Sequence, residues 1–152
     1  MKMKDMALDE TDVKIVQTLL ADSRLSYRQV GKRCGISAAT AMIRIKKLEK
    51  SGIIEGYTLR LNHEKLGYEL TTATEITVSK GKIMEVAKEI SGYPGVCCVY
   101  NITGLSDGLI IAKFKNRSEL SNFTKWMLSL PLIERTNTHV VLTAAKEDLR
   151  LL

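Results

Sequence analysis

Apolar positions recur along this chain in two rhythms, and the change from one to the other near residue 60 divides it. The first rhythm is helical. Val13, Val16 and Leu20 fall on one stripe with Ile15 and Leu19 beside it, predicting an amphipathic helix of about three turns with Asp9 as N-cap. Asp22-Ser23-Arg24 ends it. Ser26-Tyr27-Arg28-Gln29 is a capping box of the S-x-x-Q type, opening a short helix through Cys34 with Val30 and Cys34 on its inner face. Gly31 stands where a large side chain would block close helix approach. Gly35 can take the positive φ that stops the helix. Ile36 is a buried staple and Ser37 the cap of a third helix, from about Ala38 to Ser51, whose Ala41, Ile45 and Leu48 face the core. Ser51-Gly52 closes that helix. Ile53 to Leu61 then reads as a short ribbon with Gly56 at its turn, compatible with a winged variant of the motif.

The second rhythm alternates. Leu70, Thr72, Thr74, Ile76 and Val78 lie on one side of a strand. A helix follows over Lys82 to Ser91, then the turn Gly92-Tyr93-Pro94-Gly95. A second strand over Val96 to Thr103 is expected to put Val96, Cys98, Tyr100 and Ile102 on one face and Cys97 and Val99 on the other. The loop Gly104-Leu105-Ser106-Asp107-Gly108 leads to a third strand, Leu109 to Phe114. Ser118 to Leu130 is helical, with Leu120, Phe123, Met127 and Leu130 on one stripe, and His139 to Ala145 reads as the last strand. The order β-α-β-β-α-β is ferredoxin-like. The fold class is therefore α+β: a helix-turn-helix domain over residues 1–61 and a ferredoxin-like domain over 62–152. In the latter both helices cover one sheet face. The other face, expected to carry Ala73, Cys97 and Val99, needs a partner, and a second copy packed sheet to sheet supplies one.

The 152 residues carry a formal net charge of +6, and its location matters more than its size. Residues 1–61 hold 12 Lys and Arg against 7 Asp and Glu, a net +5, whereas residues 62–152 hold 11 against 10. A basic surface of this kind attracts polyanions through counterion release. Here it decorates a short helix, a tight glycine turn and a second helix that is small and polar at its start and basic later. Ser37, Ala39 and Thr40 let that helix approach base edges, Ile43 suits a thymine methyl, and Arg28, Arg44, Lys46 and Lys47 suit the phosphate backbone. Double-stranded DNA is the expected partner, and paired helices in a dimer would read two half-sites.

Other classes find less support. Only two histidines occur, His63 and His139, both expected to be structural, and no metalloprotease, C-x-x-C, nucleophile-elbow or phosphate-loop motif is present. No catalytic residue, metal or cofactor is expected. Three cysteines, two of them the adjacent Cys97 and Cys98, read as packed thiols rather than a disulfide framework. No apolar run is long enough to span a bilayer, and the basic start Met1-Lys2-Met3-Lys4-Asp5 leads into acidic residues rather than a signal core, so a cytoplasmic protein with no membrane partner is expected.

Over about residues 7–147 the sequence resembles the Lrp/AsnC (leucine-responsive, feast/famine) family of transcriptional regulators. The resemblance rests on Leu8-Asp9-Glu10-Thr11-Asp12 with Ile15, on Asp22-Ser23-Arg24, on Gly35-Ile36-Ser37, and above all on Arg44 through Ile54. Asn62 through Leu66-Gly67 is similar to the family hinge, and Pro94-Gly95-Val96, Thr103-Gly104 with Asp107, Thr136 and Thr138 to its effector domain. The resemblance implies a DNA-binding regulator of homodimers that assemble further, often into octamers. It also implies an amino-acid effector bound near the Gly-x-x-Asp loop, with Thr103, Gly104, Ser106, Asp107, Thr136 and Thr138 as candidate contacts. A carboxylate such as Asp107 suits an α-amino group, and loop amides suit an α-carboxylate. Ser106 departs from the larger residue common in the family. Two alternatives are a siroheme decarboxylase, an enzyme class that resembles this family in architecture, and an architectural DNA-binding protein without an effector.

Overall fold

The computed structural model describes residues 8–152, so the basic start at residues 1–7 lies outside the described residues. The chain divides into two units. One comprises the residues up to Arg60 together with Glu147–Leu152, and the other Leu61–Lys146. The final six residues thus group with the N-terminal unit, where Arg150 donates to the Leu20 carbonyl (3.3 Å) at the end of the first helix and pairs with Asp148 (2.7 Å).

The N-terminal unit is three helices: α1 (Glu10–Ala21), α2 (Tyr27–Cys34) and α3 (Ala38–Lys50). Asp9 caps α1 in a capping box with Asp12, and Ser26 caps α2 in one with Gln29. The inner stripe of α1 is Asp12, Ile15 and Leu19; the predicted stripe of Val13, Val16 and Leu20 is only half-buried. The helix is rotated because the Asp12 carboxylate is itself drawn inward. Ile15, Leu19, Val30, Cys34, Ala41, Ile45 and Leu48 form one core, with Ile36 and Ile54 against it. Gly35 takes φ 74° at the end of α2.

The predicted ribbon over Ile53 to Leu61 is not formed within the chain: no residue there pairs as a strand. Gly52, at φ 75°, makes the reversal expected of Gly56, and the Ile53 and Ile54 amides turn back to the Leu48 carbonyl (3.0 and 3.2 Å). Those bonds cap the helix and leave no second strand to complete a ribbon.

The second unit is a four-stranded antiparallel sheet of β1 (Leu70–Val78), β2 (Val96–Asn101), β3 (Gly108–Phe114) and β4 (Ile133–Val140), in the order β2-β3-β1-β4. Helices α4 (Ile83–Ser91) and α5 (Arg117–Ser129) pack on one face. β1 alternates as predicted, with Thr72, Thr74, Ile76 and Val78 buried. Ile76, Ile83, Val86, Ile90, Ile110, Phe114, Phe123 and Met127 are the centre of the core.

Two expectations are corrected here. The last strand covers Ile133–Val140, not His139 to Ala145, because an edge strand with one solvated face needs no apolar run. Its Arg135, Thr136, Asn137 and Thr138 pair with β1, Glu134 stands at a register shift, and the apolar run stays with β1 only through Val141, whose amide donates to the Thr71 carbonyl (2.8 Å) near the start of that strand. The faces of β2 also differ. A bulge between Val96 and Cys98 inserts one extra residue. Val96 and Val99 therefore both pack toward the helices, Cys97 is exposed at the bulge, and Cys98 and Tyr100 stand on the open face opposite Ile111 and Leu109. That face carries Ala73, Leu109, Ile111, Cys98 and Tyr100 at its centre, not Ala73, Cys97 and Val99, and no helix of the unit covers it.

Candidate functional site

The turn between α2 and α3 is built by close backbone approach. The Ile36 amide donates to the Gly31 carbonyl (2.9 Å), and a Cβ on Gly31 would stand 2.7 Å from the Ile36 oxygen. Ser37 caps α3 by accepting from the Thr40 amide (3.0 Å), and the Ser37 and Thr40 hydroxyls bond each other (2.8 Å). The amides of Ala38 and Ala39 have no acceptor inside the helix, so the start of α3 offers donors and a positive dipole end to an anion.

Turned away from the core, Arg28, Ser37, Ala39, Ile43, Lys46 and Lys47 are exposed and Thr40 is half-buried. Ile43 is 63% exposed, a high value for a residue of its size in the middle of a helix. The structure thus places Ser37, Ala39, Thr40, Ile43, Lys46 and Lys47 at the turn and along α3, while Arg28 stands apart from them in the first turn of α2. The segment that follows α3 is also tied to this helix: the Tyr57 hydroxyl donates to Glu49 (2.8 Å), and burial with the neighbouring carboxylate pushes its pKa up to about 12.

Arg44 is placed differently from its neighbours. Its Nη1 donates to Asp9 Oδ2 (2.6 Å) and to Asp12 Oδ1 (2.8 Å), and its side chain is 30% exposed. The hydrogen bond from Arg44, aided by the Asp12 amide, holds the Asp9 carboxyl below its ordinary range. Stabilisation of this kind is present above the ordinary carboxylate pKa and is lost as pH falls through the lowered one. Asp9 was legible as a cap, but its tie to Arg44 was not, since no local spacing joins residues 35 apart.

The loop between β2 and β3 holds Thr103, Gly104, Ser106 and Asp107. Thr103 and Gly104 are exposed, with Gly104 at φ 124°, whereas Ser106 is buried and donates to Glu75 (3.3 Å). Asp107 Oδ2 accepts from the Val78 amide (2.7 Å), and its own amide and carbonyl bond Ile76 and Ile102. One carboxylate oxygen therefore anchors the loop to the end of β1. Thr136 pairs with Ile76, whose other neighbour is Gly108, so Thr136 lies two strands from the loop at the same end of the sheet, roughly 10 Å away. Thr138 bonds Thr74 (3.1 Å) on the helix-covered face. Thr136 and Thr138 are not brought against the loop within one chain.

The histidines have structural contacts: His63 meets Tyr68 edge to face (5.9 Å) and His139 bonds Asn137 (3.0 Å). No group of three metal-ligating side chains forms among the described residues. None of the described helices is long and apolar enough to cross a membrane.

Residues 8–55 match the family described as winged helix-turn-helix DNA-binding, and residues 71–151 match the Lrp/AsnC ligand binding domain. An HTH-type transcriptional regulator of Pyrococcus abyssi is 49% identical over 95% of this chain and 98% of its own length. The regulator FL11 of Pyrococcus horikoshii is 37% identical over 95% of each. Among solved structures, a transcriptional regulator of Neisseria meningitidis in complex with L-Met superposes with a TM-score of 0.89 at 28% identity, over 96% of this chain and 97% of that one. AsnC of E. coli shares the fold, with a TM-score of 0.86 at 22% identity over 93% and 97%.

Proposed function

The chain belongs to the Lrp/AsnC family of transcriptional regulators, and from that premise we propose that it binds duplex DNA in the cytoplasm as a homodimer or larger assembly and adjusts that binding to an amino acid. One observation carries the DNA half: α3 follows a glycine-tight turn and presents Ser37, Ala39, Ile43, Lys46 and Lys47 to solvent. The uncovered sheet face with Leu109, Ile111, Cys98 and Tyr100 supports self-association, because a patch of this kind is stabilised by burial against a second copy. Dimerisation would also pair two recognition helices for two half-sites.

The effector half rests on the loop. With Oδ2 held by Val78, the second Asp107 oxygen can accept from an α-amino group, and the exposed Thr103-Gly104 backbone can donate to a carboxylate. A second copy would have to supply what Thr136 and Thr138 do not reach. Titrating the chain onto a mixed-sequence duplex, with and without each standard amino acid, tests both halves. Binding is expected to be saturable and to weaken as salt rises, and at least one amino acid should shift it. Asp107→Asn keeps an acceptor for the Val78 amide, so its Tm without ligand should stay near wild type while the affinity for that amino acid falls tenfold or more. A variant that responds like wild type would remove Asp107 from the ligand set, and a chain indifferent to duplex would remove the DNA function.

A further inference from the structure

The charge on α3 is not all available to an outside anion. Arg44 stands between two carboxylates, each within 2.8 Å of one of its nitrogens. One guanidinium with two carboxylates is a local net of −1, which repels a phosphate rather than drawing it in. Asp12 is only 10% exposed at its side chain, so the cation beside it offsets a desolvated negative charge. The same two carboxylates form the capping box of α1. A single side chain from the middle of α3 is thereby fastened to the first turn of α1, across 32 and 35 residues of sequence.

We propose that Arg44 is a positioning residue and not a DNA contact: it spends its charge on Asp9 and Asp12, and in doing so sets the orientation of α3 against α1. The inference rests on the duplex-binding function above. It divides the basic residues of the motif into two jobs. Arg28, Lys46 and Lys47 are exposed and face solvent for phosphate, while Arg44 holds the helix on which two of them sit.

The test compares Arg44→Gln with Lys47→Gln in the full chain, on a mixed-sequence duplex over a salt series. Lys47→Gln should make the slope of log affinity against log salt shallower by about 0.9, the value of one lost phosphate contact. Arg44→Gln should leave the slope at wild type, lower the Tm by at least about 5 °C, and reduce discrimination between a duplex recovered by selection and the mixed-sequence one. In an Asp12→Asn background most of that Tm loss should disappear. A slope change equal to that of Lys47→Gln, or Tm losses that simply add, would overturn the proposal. If Arg44→Gln does not fold, the double variant Asp9→Asn with Asp12→Asn carries the slope test. Freeing Arg44 from both carboxylates steepens the slope if the proposal holds and leaves it unchanged if the guanidinium already sits on a phosphate. The Tm coupling is read without DNA, so failure of the wild type to bind any duplex is recorded separately, as failure of the DNA function.

Discussion

Gly31→Ala is expected to destabilise the N-terminal unit by about 1–3 kcal/mol and to weaken duplex binding at least tenfold where the variant is still folded. In an exposed helix interior the same change would stabilise, since Ala exceeds Gly by about 1 kcal/mol in helix propensity. The close approach reverses the sign. The new Cβ would stand 2.7 Å from the Ile36 oxygen and 3.2 Å from the Ala38 nitrogen and the Ser37 carbonyl carbon. All three are backbone atoms, which cannot swing aside as a side-chain tip can. They are also the atoms that seat the first turn of α3, so relief of the clash must move the recognition helix. Gly35→Ala is the useful contrast. It has open space around its Cβ but sits at φ 74°, so it should cost about 1–2 kcal/mol through backbone strain alone. Thermal denaturation with duplex anisotropy checks both. Wild-type stability and affinity in Gly31→Ala would mean that the turn is not packed as described.

The second large effect concerns the exposed lysines of α3. The double substitution Lys46→Ala with Lys47→Ala should lower duplex affinity by roughly 10- to 100-fold near physiological salt and make the salt slope shallower by about 1.8. Both side chains are exposed and no core contact is lost, so Tm should change little. The separation of affinity from stability is the diagnostic feature. An unchanged slope would place the phosphate contacts elsewhere, on α2 or the segment that follows α3.

Much of this molecule could be read from local pattern. The capping residues Asp9, Ser26 and Ser37, the αL glycine at residue 35 and the inner stripe of α3 all depend on neighbours within four residues, and all occur as expected. The misread elements depend on distant ones. The rotation of α1 follows from Asp12 meeting Arg44, which no spacing rule anticipates. The faces of β2 follow from a bulge opposite β3, and a single inserted residue reverses which side chains meet the core. β4 was displaced because its pairing with β1 decides its extent, not its own hydrophobicity. The loop residues Thr103, Gly104, Ser106 and Asp107 came from family resemblance. What geometry adds is that Asp107 has one oxygen committed to Val78 and Ser106 is turned inward to Glu75.

The central claim is sequence-specific recognition by α3, and competition binding addresses it most directly. A pool of duplexes with randomised cores is selected on the full chain. The recovered duplex is then titrated against a mixed-sequence duplex of equal length at one fixed salt concentration. Recognition by a paired helix-turn-helix predicts a recovered site with two half-sites separated by about one helical turn or a multiple of it, bound on the order of a thousand-fold or more tighter than mixed sequence. A ratio near one, with no recurring half-site, would contradict the account and leave only a basic surface that binds DNA by charge.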